Sequence, residues 1–381
     1  MDKTLYIFNP EHDIALSNGD PNFVPPSMAV RFGEDSAVLP MWLSADIKSN
    51  PVIIIPKHKE ISEYKENIRF LSANIYIEFE DKSRQWLIEY LDNLCISYPI
   101  PQLTDNISNI DIEKIVTWGW DEAICQKLRK QGIDESLFPT KQELEYIKSL
   151  SHRRIALKGQ KFINSRIASH IKLSTPSTEI YSLEEATNYL DKNKNIVLKS
   201  PLSGSGRGIR WCKDVFSHSD IGWIRNTISK IGSIMGEERL EIVKDFATEF
   251  YIDKFGEIEF CGYSLFETKN GAYIANILAS DQKILEILSR YISLETLQEI
   301  VELQTKFIKT EFSNKYSGYI GIDMAVYIDE NQEYSIAPII EINVRMTMGL
   351  LARNIYDRYI SKVKTPLPDP LGLMFESSAS N

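Results

Sequence analysis

At 381 residues the chain exceeds what one hydrophobic core usually supports, so two or three subdomains are expected. Its 43% hydrophobic and 10% aromatic content excludes a disordered or fibrous protein, and 43 Lys plus Arg against 53 Asp plus Glu, a formal net charge of -10, argues against nucleic acid or anionic membrane as a general partner. Four separated cysteines, Cys95, Cys125, Cys212 and Cys261, form no CxxC pair, so neither a zinc site nor a disulfide framework is indicated.

The N-terminus "MDKTLYIFNPEHD" lacks a signal-peptide core, and no later run approaches the roughly 18 apolar residues of a membrane span, so a cytoplasmic protein is expected. Short β-branched runs at 4–9, 51–57, 74–79 and 114–120 read as strands, with a helical segment at 84–94 between them. This alternation predicts an α/β first domain with a mainly parallel sheet. The pattern from Leu144 to His170 is helical with a weak point at Gly159, and a helix opening after Ser182 leads to a strand ending in Lys199. A β-rich stretch covers Glu241 to Ile277. A long amphipathic helix then carries Leu297, Ile300, Val301, Phe307, Ile308 and Phe312 on one stripe. Two strands around "DENQE" read as a hairpin, and the Pro- and Ser-rich end reads as a loose tail.

The stretch "IVLKSPLSGSGRGIRW" (Ile196 to Trp211) places a glycine-rich loop behind a strand. It lacks the GxxxxGK[ST] of a P-loop and the GxGxxG of a dinucleotide turn. "GIRWCKDV" reads instead as a returning strand, making the glycines a hairpin tip whose amides can fold over phosphates. On these residues alone a phosphate flap and an incidental surface hairpin fit equally. Further on, Asp323 lies in "GYIGIDMAVY", and Glu341, Asn343 and Arg345 alternate along "IIEINVRMTMG", so the last three share a strand face. Two carboxylates and an amide oxygen converging there suit Mg²⁺ bridging phosphates, with Arg345 at the edge for an anionic oxygen.

Lys199 with "SPLSGSGRG", then "EIVKDFATEF", "GYIGIDMAVY" and "EINVRMTMG" in that order, resembles the ATP-grasp superfamily over roughly Leu150 to Tyr359. The resemblance implies an ATP-grasp fold of α+β lobes behind an N-terminal Rossmann-like α/β domain: residues 1–140 contributing to substrate binding, 141–240 the lobe with the flap, 241–365 the lobe with the metal site, and 366–381 the tail. It implies ATP and Mg²⁺ (or Mn²⁺) as cofactors, with Asp323, Glu341 and Asn343 as metal ligands and Lys199 and Arg345 as catalytic groups. Ser203, Gly204, Ser205, Gly206, Arg207 and Gly208 would form the flap. Lys244, Asp245 and Phe246 would form the adenine hinge, and Glu249 would bind the ribose. The first phosphate-contacting cation would be Lys161, with Arg154 as the alternative.

The implied activity is an ADP-forming ligase joining a small-molecule or peptide carboxylate to an amine or thiol, as a homodimer acting without nucleic acid or membrane. A phosphotransferase or a silent nucleotide-binding protein on the same scaffold is the alternative. In "NPEHDIALSNGDPNFVPP", His12 and Asp13 are candidates to touch substrate or to serve as a capping segment. In "WGWDE", Trp118 to Glu122, pocket lining and packing are both open.

Overall fold

The apolar runs of the first third become a parallel sheet. Strands β1 (Lys3–Ile7), β2 (Asn50–Ile54), β3 (Gln102–Thr104) and β4 (Lys114–Thr117) lie in the order β3-β2-β1-β4, each pair parallel. Leu5, Val52 and Ile115 pack with Ile124 and Leu128 of the helix Glu122–Lys130, whose N-cap is Asp121. This computed structural model describes residues 3–37, 39–40, 50–54, 102–104, 107, 109–168, 170–204, 208–269, 272–358, 361 and 371–374. The strand expected at 74–79, the helix expected at 84–94 and Cys95 lie outside the described residues.

A second sheet follows. Strands β5 (Thr178–Ile180), β6 (Asn195–Lys199), β7 (Ile209–Lys213) and β8 (Ile234–Glu238) lie in the order β5-β8-β6-β7, all antiparallel. Ile180, Ile196 and Leu198 form its core with Ala186, Leu190 and Ile224 from two covering helices. The first of these, Leu183–Asn193, starts where the sequence predicts, with Ser182 Oγ accepting the Glu185 N–H at 3.0 Å. Because β6 and β7 pair antiparallel from Asn195↔Lys213 to Lys199↔Ile209, the glycine segment is a hairpin tip, as the returning strand implies.

The third sheet is the largest. It comprises β9 (Glu241–Ile252), β10 (Ile258–Lys269), β11 (Ala272–Leu278), β12 (Gly318–Ile328), β13 (Tyr334–Asn343) and β14 (Leu371–Met374), ordered β13-β12-β9-β10-β11-β14. The long helix Leu294–Phe312 lays the expected stripe against it, burying Leu297, Ile300, Phe307, Ile308 and Phe312 with Phe246, Phe250 and Ile320, while Val301 sits half-buried at the margin. The β12–β13 hairpin closes through Asp329 N–H to Glu333 C=O at 2.9 Å. No helix among the described residues is long and apolar enough to cross a membrane.

Two expectations are corrected here. The helical region from Leu144 breaks at 151–153, between the helices Lys141–Leu150 and Arg154–Asn164, rather than at Gly159. Gly159 lies inside the second helix because a Cβ there would come within 2.5 Å of Ile339 Cδ1; the missing side chain lets the helix press onto β13. The tail 366–381 is not wholly loose, since residues 371–374 add β14 to the edge of β11.

Candidate active site

The site forms where the second and third sheets face each other. Lys199 ends β6, locked by ladder pairing to Ile209 on one side and Met235 on the other, and its Nζ donates to Glu237 Oε2 of β8 at 2.5 Å. The neck of the hairpin tip is closed by Ser200 N–H to Gly208 C=O at 2.8 Å. Gly208 takes φ +69°, a left-handed conformation that favours glycine. Ser203, Gly204 and Gly208 stand at this neck; Ser205, Gly206 and Arg207 lie outside the described residues.

Facing them, Asp323 of β12 pairs directly with Glu341 of β13, and Asn343 Nδ2 donates to Asp323 Oδ2 at 3.1 Å. Glu341, Asn343 and Arg345 alternate with the buried Ile342 and Val344, as their spacing predicts, and line one cavity of about 540 Å³ together with Lys199 and Asp323. Burial first, then the neighbouring Glu341 and Glu249 carboxylates, pushes the Asp323 carboxyl up to about 8. Among the described residues no group of three or more His, Cys, Asp or Glu is arranged to hold a metal. The candidate set is instead two carboxylates and an amide. Two carboxylates and an amide oxygen crowded together offer the hard oxygen ligands that suit a divalent cation, and Asp323 has no ion-pair partner among the described residues.

The first basic residue is neither of those expected. Lys161 is exposed near the end of its helix, and Arg154 points to the surface, where its NH2 meets Glu179 at 2.7 Å. Arg153 is the arginine of "SHRR" that lies at the site. It sits in the helix break, 6% exposed, with Nε donating to Ser200 C=O at 3.1 Å and NH2 reaching Ser203 C=O at 3.2 Å and Glu341 Oε1 at 2.8 Å. One guanidinium thus ties the flap neck to a metal-ligand candidate. Its NH1 is buried without a hydrogen-bond partner, an orphan donor of the kind an anionic oxygen satisfies. Nothing local in "SHRR" separates Arg153, the residue just before the helix, from Arg154, its first residue.

The residues expected to form the hinge lie within a strand. Lys244, Asp245 and Phe246 lie inside β9, where Lys244 pairs with Val326 and Asp245 with both Ala325 and Phe266, so their backbone groups belong to a central ladder. Phe246 points into the core; of the three, Asp245 alone lines the cavity. The chain crosses between the two sheets at Arg239 and Leu240, between β8 and β9, and Glu237, Glu238 and Leu240 line the cavity there. At this crossing the Arg239 N–H donates to the Asn195 C=O at 3.1 Å.

Glu249 lies eight positions along β9 from Glu241, or roughly 26 Å at strand rise, too far from the crossing for a ribose contact. It pairs across β12 with Gly321, which pairs with Asn343, and so belongs to the acidic end. Its carboxylate accepts from Ser264 Oγ at 3.0 Å and Thr347 Oγ1 at 2.8 Å. Burial pushes it up to about 7 despite these bonds.

The N-terminal segment closes the far side. Asp13 makes a bidentate pair with Arg345, at 2.9 Å to Nε and 2.8 Å to NH2. Burial would raise the Asp13 carboxyl, but the Arg345 charge and hydrogen bonds outweigh it and hold it below the usual aspartate range. A Cβ on Gly204 would fall 1.8 Å from Asp13 Oδ2, so the flap neck also packs onto this carboxylate. His12 is fully buried with Nδ1 at 3.0 Å from Asp121, while Asn9 Nδ2 donates to Gly119 C=O at 2.8 Å. "NPEHD" and "WGWDE" are therefore two halves of one hydrogen-bonded unit: His12 belongs to its scaffold, and Asp13 reaches the site.

No family model matches the chain, and no curated protein matches it. Solved structures do. Rhizobium etli pyruvate carboxylase, with the allosteric activator acetyl coenzyme A, is similar at 13% identity and a TM-score of 0.50, covering 93% of this chain and 27% of that one. Biotin carboxylase from Campylobacter jejuni aligns at 11% identity over 97% of this chain and 73% of that one, with a TM-score of 0.48. The biotin carboxylase domain of Hydrogenobacter thermophilus 2-oxoglutarate carboxylase, solved with MgADP and bicarbonate, aligns at 14% identity over 93% and 69% respectively, with a TM-score of 0.47. The likeness to pyruvate carboxylase, over 93% of this chain, shows that the chain has the ATP-grasp fold.

Proposed function

We propose that the protein is an ATP- and Mg²⁺-dependent ligase that activates a substrate carboxylate as an acyl phosphate and joins it to an amine, releasing ADP and phosphate. The observation that carries this reading is the convergence on one cavity of Lys199 from one sheet and Asp323, Glu341, Asn343 and Arg345 from the other, with Arg153 tying the flap neck to Glu341. Cations and acids meeting across a cleft suit phosphoryl transfer, which depends on positioning and charge rather than on a protein nucleophile. The solved relatives named above include carboxylases bound to adenine nucleotides.

Lys199 and the orphan NH1 of Arg153 hold the phosphate oxygens, and the flap excludes water that would hydrolyse the acyl phosphate. Asp323, Glu341 and the Asn343 oxygen would hold Mg²⁺ or Mn²⁺, which would supply positive charge to offset that of the phosphate. A carboxylate oxygen bonds the γ-phosphorus as the bond to the ADP oxygen breaks. The amine nitrogen then bonds the acyl carbon, its proton passes to solvent, and phosphate leaves with the bonding electrons. Arg345 steadies the oxyanion formed in that attack. The adenine lies at the Glu238–Leu240 crossing in this reading. The lobes at 141–240 and 241–365, the substrate-contributing 1–140, and a homodimer in the cytoplasm complete it.

Release of ADP from MgATP in the presence of carboxylate and amine pairs, with mass analysis of the product, tests the reaction. Amine-dependent ADP release that Glu341→Gln lowers by about a hundredfold or more is expected. ADP release at full rate without an amine, with a stable phosphorylated product, would establish the phosphotransferase instead. Unchanged turnover in Glu341→Gln would remove the metal assignment.

A further inference from the structure

The cavity continues past Arg345 to the N-terminal domain. There Phe8, Pro10, Phe32 and Trp118 line it, with Met348 on the facing side. Phe8 holds Trp118 edge-on at 4.8 Å and Phe32 at 5.6 Å between ring centroids. The Trp118 carbonyl accepts the Met346 N–H at 2.9 Å, which fixes this wall to the residue following Arg345. Among the described residues lining this end, Arg345 is the one cation, and Asp13 already matches its charge. Of the five Arg345 N–H bonds, two go to Asp13 and one to the Met346 carbonyl, which leaves one on each terminal nitrogen. A single carboxylate can therefore be hydrogen-bonded here. Among the described residues lining this end a second anionic group finds no uncompensated charge, and desolvating it against aromatic rings is costly.

We propose that this end is the acyl subsite, and that it takes a monocarboxylate with an aromatic or branched apolar body. The carboxylate lies beside Arg345, facing Asn343 and Glu341, and the body lies on the Phe8, Phe32 and Trp118 wall. The inference rests on the ligase reading for its chemistry and on the cavity wall for its selectivity.

The test compares phenylacetate, isovalerate and succinate at saturating MgATP, with hydroxylamine as nucleophile so that an acyl phosphate is trapped as its hydroxamate. The full-length protein is expected to favour phenylacetate and isovalerate over succinate by about tenfold or more in kcat/KM. Phe32→Leu keeps that order, whereas Phe32→Lys, which adds a cation to the wall, moves the preference toward succinate. Quenching of tryptophan fluorescence by phenylacetate, weakened in Phe32→Lys, reads occupancy without turnover. Succinate turned over as well as phenylacetate, or a ranking indifferent to Phe32→Lys, overturns the subsite while leaving the ligase intact. Quenching by phenylacetate without hydroxamate from any carboxylate overturns the ligase while leaving the subsite. Absence of both quenching and hydroxamate overturns the subsite.

Discussion

Arg153 and Arg154 are adjacent, yet they face opposite fates: one is buried between the flap neck and Glu341, the other is at the surface beside Glu179. Arg153→Ala is expected to lower MgATP-dependent ADP release by about a hundredfold or more, the usual loss when an electrostatic contact to the transition state is removed. Arg154→Ala and Lys161→Ala should remain within about threefold, and a large loss in either would return the phosphate contact to the residue first expected. Asp323 makes a second case, through pH. Its ordinary value is near 4 and burial raises it to about 8, so between these values the native state keeps a proton that the unfolded chain has lost. That contribution to stability is full below about pH 4 and is lost as pH rises through 8. In metal-free protein, Asp323→Asn should therefore raise the thermal midpoint near pH 8, with a smaller gain near pH 5. Excess Mg²⁺ should stabilise the wild type at the higher pH and leave the variant unmoved. An equal midpoint for the two proteins at both pH values would mean that Asp323 is not held neutral by its surroundings.

Gly159 shows how an element can look weakest where it packs most tightly. A glycine in a helical run reads as a break, but here it lets the helix Arg154–Asn164 approach Ile339 of β13 and Phe307 of the long helix. Gly159→Val should cost roughly 1–3 kcal/mol of overpacking or more, measured as a lower urea midpoint, whereas a mere helix-propensity effect would make Gly159→Ala stabilising. The elements legible in the sequence are those whose signal is local. The β12–β13 hairpin, the Ser182 cap and the stripe on the long helix follow from periodicity and turn chemistry within a few residues. The metal-ligand candidates and Lys199 were legible for the same reason, each being phased by its own strand. The hinge was not, because β8 and β9 run nearly end to end in "IMGEERLEIVKDF" with only Arg239 and Leu240 between them and no glycine or proline to mark the crossing. Arg153 was hidden similarly, since its value lies in contacts 47 to 188 positions away that helix phase alone does not reveal.

One ion pair joins the N-terminal segment to the residues that follow β13. Asp13 and Arg345 are separated by 332 positions, both carboxylate oxygens engage the guanidinium, and the flap neck at Gly204 packs against the same carboxylate. A buried pair of this kind need not add net stability over an apolar pair, but losing one partner strands the other charge, at a cost of about 3–5 kcal/mol. Asp13→Leu and Arg345→Leu should each lower the first unfolding transition strongly. The double variant Asp13→Leu/Arg345→Leu should recover much of that loss, because no unmatched charge remains. ADP release should stay low in all three, since Arg345 is gone in two and misoriented in the third. Non-additivity of the midpoints together with uniform loss of turnover is the signature of a pair that both docks the domain and aims the arginine. If the two single effects simply add, the N-terminal unit is held to the later chain by contacts such as the Trp118–Met346 bond. If Asp13→Leu turns over at the wild-type rate, Arg345 is positioned by its own backbone and its bond to the Met346 carbonyl instead.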